Sequence, residues 1–169
     1  MAGYESVPVY PNVGEETLNY VLKHSEAKLL LVGKLDDWNF MKAGVPAGVQ
    51  CISFPWYGPK QNGFHYWEDL TKEQAPLTGT PNRGLDEVMT IIYTSGTTGL
   101  PKGVMLTHGN LTRQADDIDF GAKIRPADLL LSMLPTWHMY ERAVEYYVIR
   151  LGMTIYYSDK RWVREDLQQ

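Results

Sequence analysis

A polar loop too long for an ordinary hairpin joins two apolar runs in the middle of this chain. Val88-Met89-Thr90-Ile91-Ile92-Tyr93 is β-branched and apolar, the composition of a buried strand. Val104-Met105-Leu106-Thr107 reads as a second, shorter strand. The ten residues between them, Thr94-Ser95-Gly96-Thr97-Thr98-Gly99-Leu100-Pro101-Lys102-Gly103, hold three glycines, four hydroxyl side chains and one lysine. A Ser/Thr/Gly-rich turn is the plain reading, but hairpins close with about two to five loop residues. Long loops between buried strands are usually functional. Glycines let the backbone turn its N–H groups inward, hydroxyls add donors, and a lysine adds a mobile positive charge. Such a loop is equipped to hold a polyphosphate. It is not the Walker pattern, G-x-x-x-x-G-K-[ST], because Lys102 follows Pro101 and precedes Gly103. Pro101 also lacks the N–H that the Walker loop uses there.

The rest of the composition narrows the classes. A chain of 169 residues is one domain's worth, and 44% hydrophobic content supports a folded core. A net charge of −4 without a basic run argues against a nucleic-acid partner. The single cysteine, Cys51, excludes an internal disulfide framework and suits a reducing compartment. No continuous apolar stretch has membrane-spanning length, and the first residues lack the regions of a signal peptide. The expectation is a cytoplasmic protein, or the cytoplasmic part of one.

Along the chain, Val7 to Pro11 reads as a short strand near a sheet edge. Gly14-Glu15-Glu16-Thr17 opens a helix with acidic residues favourable to its dipole, and Leu18, Val21 and Leu22 form its buried stripe. His24, near its end, reads as a dipole partner rather than a ligand. Ala27 to Val32 is a strand stopped by Gly33, Asp36 to Lys42 a short helix with Trp38 and Met41 inward, and Gln50 to Phe54 another strand. Pro55 to Pro81 is irregular, with a helical turn at Trp67-Leu70 and aromatics that pin the loop to the core. Gly109 opens a helix to about Lys123 with Asn110 as its cap. Asp116, Asp117 and Asp119 are spread around that helix as a solvated face, not a metal site. Asp128 to Leu134 is an apolar strand that delivers Pro135-Thr136-Trp137-His138 at its carboxyl end, where open α/β sheets place ligands. Tyr140 to Leu151 is an amphipathic helix with Tyr140, Val144, Tyr147, Val148 and Leu151 on one side. Gly152 ends it, Met153 to Tyr157 is a strand, and Arg161 to Gln169 begins another helix. The alternation predicts an α/β fold, mainly a parallel sheet flanked by helices.

Thr94 to Gly103 resembles, without a departure, the phosphate-binding loop of the adenylate-forming superfamily, which includes acyl-CoA synthetases, luciferases and peptide-synthetase adenylation domains. His138-Met139-Tyr140-Glu141-Arg142 is similar to the His-Met-x-Glu-Arg segment of long-chain fatty acyl-CoA synthetases, and Asp159-Lys160-Arg161 fits that branch. HExxH zinc spacing is absent, and Trp137 stands where some relatives have a small residue. The resemblance implies an ATP-dependent ligase that converts a fatty acid to an acyl-adenylate and then to an acyl-coenzyme A. It implies that Thr94, Ser95, Gly96, Thr97, Thr98, Gly99 and Lys102 hold ATP phosphates, with Thr94 beside Mg²⁺. Lys102 and His138 would be catalytic, His138 ordering the substrate carboxylate, while Glu141 and Arg142 serve either there or in structural ion pairs. An acyl-carrier-protein thiol is the alternative acceptor to coenzyme A. The family is much longer and carries further segments, among them a Tyr-Gly-x-Thr-Glu-type stretch and a C-terminal lysine, that are not found here. Residues 1–169 are therefore expected to be part of an adenylation domain, inactive alone, from a parent with room for peripheral membrane contact.

Overall fold

The computed structural model describes residues 3–33, 35, 37–55, 60, 62–79, 82–95, 99–121, 123–135 and 137–158. They form two compact units, one of residues 1–82 with 90–105, the other of residues 83–89 with 106–169.

In the first unit, helix α1 (Glu15–His24) carries Glu15 and Glu16 in its first turn and Lys23 and His24 in its last, all matched to the helix dipole. Its apolar side is the expected one, with Leu18, Val21 and Leu22 buried. Strands β1 (Leu29–Val32), β2 (Gln50–Ser53) and β3 (His65–Tyr66) form a parallel sheet in that order, with Leu29 opposite Gln50 and Ile52 opposite His65. Leu18, Leu22, Val32, Trp38 and Met41 make the core. The connection from β1 to β2 is two 3-10 turns, Trp38–Phe40 and Lys42–Gly44, where a single short helix was expected. The second turn runs against α1: Asn19 Nδ2 donates to the Gly44 carbonyl at 3.1 Å, and a Cβ on Gly44 would overlap the Glu15 carbonyl. Helix α2 (Trp67–Thr71) occupies the expected helical turn. Trp67 stacks on Phe54 with ring centres 5.0 Å apart, and Phe64 meets Trp38 edge-on at 5.4 Å, so these aromatics do tie the irregular stretch to the core.

Val7 to Pro11 is not a strand. Only Ser6 bridges in parallel to Thr90, its carbonyl accepting from Ile91 N at 2.9 Å and from Thr90 Oγ1 at 2.8 Å. Pro8 and Pro11 lack the N–H groups that would extend the pairing. Thr90 lies in β4 (Val88–Thr94), which pairs with β5 (Lys102–Thr107) as a two-stranded ribbon.

In the second unit, α3 (His108–Asp117) is capped by Thr107 rather than Asn110. Thr107 Oγ1 accepts from Asn110 N at 3.2 Å, and Asn110 Oδ1 accepts from Thr107 N at 2.9 Å, a reciprocal capping box. The helix stops at Asp117, short of the expected Lys123, as Ile118 turns extended and Asp119 Oδ1 accepts from Gly121 N at 2.8 Å. Strand β6 (Leu129–Ser132), helix α4 (Met139–Leu151) and strand β7 (Thr154–Tyr157) form a β-α-β unit, parallel from Leu129 opposite Thr154 to Ser132 opposite Tyr157. Gly152 closes α4 with φ +70°, as the glycine signal predicts. Leu111 and Ala115 of α3 and Ala143, Val144 and Val148 of α4 are buried, and Asp116 forms an ion pair with Arg150 across the two helices. The inward side of α4 differs from expectation by one position: Tyr140 is 57% exposed and Glu141 only 4%. The expected helix from Arg161 lies outside the described residues. Among those described, no helix is long and apolar enough to cross a membrane. Parallel strands joined by helices bear out the α/β expectation.

Candidate functional site

In the first unit the ribbon brings Thr94, the last residue of β4, and Lys102, the first of β5, to the two ends of one turn. Lys102 was expected inside the loop; strand pairing extends back to include it, because Lys102 and Gly103 follow Pro101 into extended backbone. Gly103 sits close against the partner strand, where a Cβ would lie 3.0 Å from Ile91 Cγ2 and 3.3 Å from Tyr93 Cζ. A side chain there would push the strands apart. Thr94, Ser95, Gly99 and Lys102 are all exposed, and Gly99 has φ +94°, a conformation costly for any residue with a Cβ. Lys102 forms no ion pair or side-chain hydrogen bond with any described residue. An exposed cation without a partner among the described residues, on the same stretch as the exposed Thr94 and Ser95, suits an anion in both charge and donor chemistry. Gly96, Thr97 and Thr98 lie outside the described residues.

The carboxyl end of β4 is tied to the end of α1, a link the sequence reading did not anticipate. Tyr93 Oη and His24 Nδ1 are 2.7 Å apart. Tyr20 stacks on the His24 ring at 5.3 Å and meets Tyr93 edge-on at 6.4 Å. Burial pushes the Tyr93 phenol up, Tyr20 adds to this, and the Ser25 hydroxyl acts the other way. His24 is thus a side-chain partner of β4 as well as a residue at a helix terminus.

In the second unit β6 leads through Met133, Leu134 and Pro135 to His138, which caps α4. His138 N donates to the Pro135 carbonyl at 2.8 Å, and His138 Nδ1 accepts from Tyr140 N at 3.3 Å. An accepting Nδ1 places the ring proton on Nε2, leaving an exposed N–H donor. The turn is anchored from beneath, where the buried Ser132 hydroxyl donates to the buried Glu141 carboxylate. Glu141 forms no ion pair among the described residues; its buried carboxyl is bonded to the Ser132 hydroxyl. Arg142 donates to Tyr146 Oη at 3.0 Å and lies over that ring. One turn on, desolvation holds the Glu145 carboxyl above its usual range; a hydrogen bond with Tyr157 opposes this, Glu141 adds to it, and Arg142 opposes it. Glu145 Oε1 is buried without a hydrogen-bond partner among the described residues. Neither Glu145 nor Tyr157 stood out in the sequence, because their meeting depends on the β6–β7 register. Thr136 lies outside the described residues.

The profile of the AMP-binding enzyme family matches residues 1–168. The chain is 46% identical over 84 residues to a chloroplastic long-chain-fatty-acid–acyl-carrier-protein ligase of Arabidopsis thaliana, a match covering 50% of this chain and 12% of that protein. It is 31% identical over 179 residues to the peroxisomal long chain acyl-CoA synthetase 6 of the same plant, covering 97% of this chain and 25% of that one. It therefore spans a quarter or less of the length of these relatives. Among solved structures, O-succinylbenzoate coenzyme A synthetase from Bacillus subtilis, in complex with ATP and magnesium ion, superposes with a TM-score of 0.68 at 25% identity, covering 92% of this chain and 30% of that one. Since the family match takes in both compact units, the chain belongs to the AMP-binding enzymes.

Proposed function

We propose that this chain is part of the adenylation domain of a longer ATP-dependent ligase that activates a long-chain fatty acid and passes the acyl group to coenzyme A. The observation that carries this reading is the Thr94–Lys102 stretch, where a cation without a partner among the described residues and the exposed Thr94 and Ser95 stand at the ends of paired strands. The names of the relatives support fatty acid as the substrate class.

In the proposed reaction the fatty acid carboxylate attacks the α-phosphate of ATP and pyrophosphate leaves. The protein's work is positioning and charge stabilisation. Lys102 and the hydroxyls and backbone of Thr94 to Gly99 hold the β- and γ-phosphates, where negative charge accumulates as the bond breaks. A Mg²⁺ ion beside the Thr94 hydroxyl would offset part of that charge; its preference for oxygen ligands and retained waters fits a single hydroxyl plus phosphates. His138 offers its Nε2–H to the substrate carboxylate, held in that tautomer by the Tyr140 N–H. A thiol then attacks the acyl carbonyl and AMP leaves.

The test is fatty-acid-dependent ATP–pyrophosphate exchange in the full-length enzyme. Lys102→Ala should reduce exchange by about ten- to a hundredfold, the loss of one charge-assisted phosphate contact of roughly 1.5–3 kcal/mol. Unchanged kinetics would remove the loop from the mechanism. A second acceptor is favoured by the 46% match to an acyl-carrier-protein ligase over half the chain. Offering the acyl-adenylate both coenzyme A and holo acyl carrier protein separates the two.

A further inference from the structure

Tyr93 immediately precedes the proposed phosphate turn, and its side chain points to α1 rather than to that turn. Its hydroxyl is 2.7 Å from His24 Nδ1, and the three rings of Tyr20, His24 and Tyr93 meet as one stacked and two edge-on contacts. The opposite strand closes on the same ring, since Gly103 leaves only 3.3 Å between a virtual Cβ and Tyr93 Cζ. Tyr93 is thereby held on two sides, by the last turn of α1 and by β5. The backbone it fixes continues directly into Thr94 and Ser95, both exposed.

We infer that Tyr93 and His24 are positioning residues for nucleotide binding, acting through a hydrogen bond that sets the direction in which β4 presents Thr94 and Ser95. This rests on the reading of the turn as a phosphate site. A turn that must be ordered on binding loses part of its binding energy to that ordering, so a strand end locked in advance binds more tightly. The effect belongs to ATP and not to the fatty acid, because the fixed backbone leads into the phosphate-binding hydroxyls.

The experiment is a double-mutant cycle in the full-length enzyme with Tyr93→Phe, His24→Phe and the pair. Each single change removes the hydrogen bond while keeping a ring, and so keeps the aromatic contacts. Steady-state kinetics should show KM for ATP raised two- to tenfold in each single variant, the range about one neutral hydrogen bond spans. KM for the fatty acid should stay within twofold, and the double variant should be no worse than the worse single, as for two halves of one interaction. Unchanged KM for ATP in both singles, effects that multiply in the double, or an equal rise in KM for the fatty acid would each overturn the inference. Lys102→Ala is measured alongside. If it weakens ATP use while Tyr93 and His24 variants do not, only the positioning role fails. If Lys102→Ala has no effect on ATP, the phosphate reading itself fails and takes the inference with it.

Discussion

Ser132 and Glu141 form the kind of buried polar pair that is stable only when complete, since an unmatched buried carboxylate is costly. Their bond fixes the first turn of α4 to the end of β6, and so fixes where His138 stands. His138 itself is exposed, and among the described residues its side chain bonds only the Tyr140 N–H of the helix it caps, so its removal costs the fold no more than one local cap. Substituting His138→Ala should therefore lower fatty-acid-dependent exchange by at least tenfold while ATP binding and Tm stay near wild type; a variant with normal exchange would make the histidine only a helix cap. Glu145 makes a separate prediction. Its carboxyl is raised in the folded state, so between its ordinary value of 4.5 and that raised value the folded chain holds more protons than the unfolded one. Stability contributed by the neutral form is present in acid and is lost as pH rises through that window. Glu145→Gln, which does not titrate, should match wild type below about pH 4 and be the more stable of the two at neutral pH. Thermal melts across pH 4 to 8 check this, and a difference independent of pH would refute it.

Helices α1 and α4, the strand that follows α1 and the strands on either side of α4 follow from period and end signals that the sequence states openly. Glu15 and Glu16 open α1, Gly152 closes α4, and the Leu-rich run of β6 forms the expected strand, although Leu129 at its start is exposed. What failed to show was decided at a distance. Tyr140 and Glu141 exchange expected places because Ser132, nine residues earlier, supplies a partner that makes a buried carboxylate tolerable. Asn110 was expected as a cap and is the reciprocal member of a box whose cap is Thr107, a distinction of three positions that periodicity alone does not make. Val7 to Pro11 has strand composition, but its prolines remove the ladder donors. The candidate site was legible in the same uneven way: the Thr94–Lys102 turn is a contiguous motif, whereas His24 meets Tyr93 across 69 positions. Gly44 offers a test of how closely α1 and the second 3-10 turn fit. Gly44→Ala would drive a methyl into the Glu15 backbone and should lower stability by roughly 1–3 kcal/mol, seen as a reduced Tm with activity retained at low temperature. An unchanged Tm would mean that the two elements yield easily.

Taken together, two compact units, a phosphate-suited turn in one and a histidine-capped helix in the other describe a chain that covers a quarter or less of the relatives it matches. Adenylation needs its charged atoms surrounded by a preorganised, water-excluding site. Thr94, Ser95, Gly99, Leu100 and Lys102 of the proposed phosphate turn are exposed. Leu29, Leu31, Leu129 and Tyr157, on strands of both units, are also substantially exposed, and such surface favours association when left uncovered. The 169-residue chain alone should therefore bind ATP weakly and release no pyrophosphate, and the full-length enzyme should supply what completes the site. The most direct measurement is pyrophosphate release from ATP and Mg²⁺ over a panel of fatty acids, run in parallel on the full-length enzyme and on the isolated chain. The expected result is release by the full-length enzyme that depends on a long-chain acid and on Lys102, with none from the isolated chain. Absence of fatty-acid-dependent release from the full-length enzyme, or Lys102-dependent release from the isolated chain, would contradict the account.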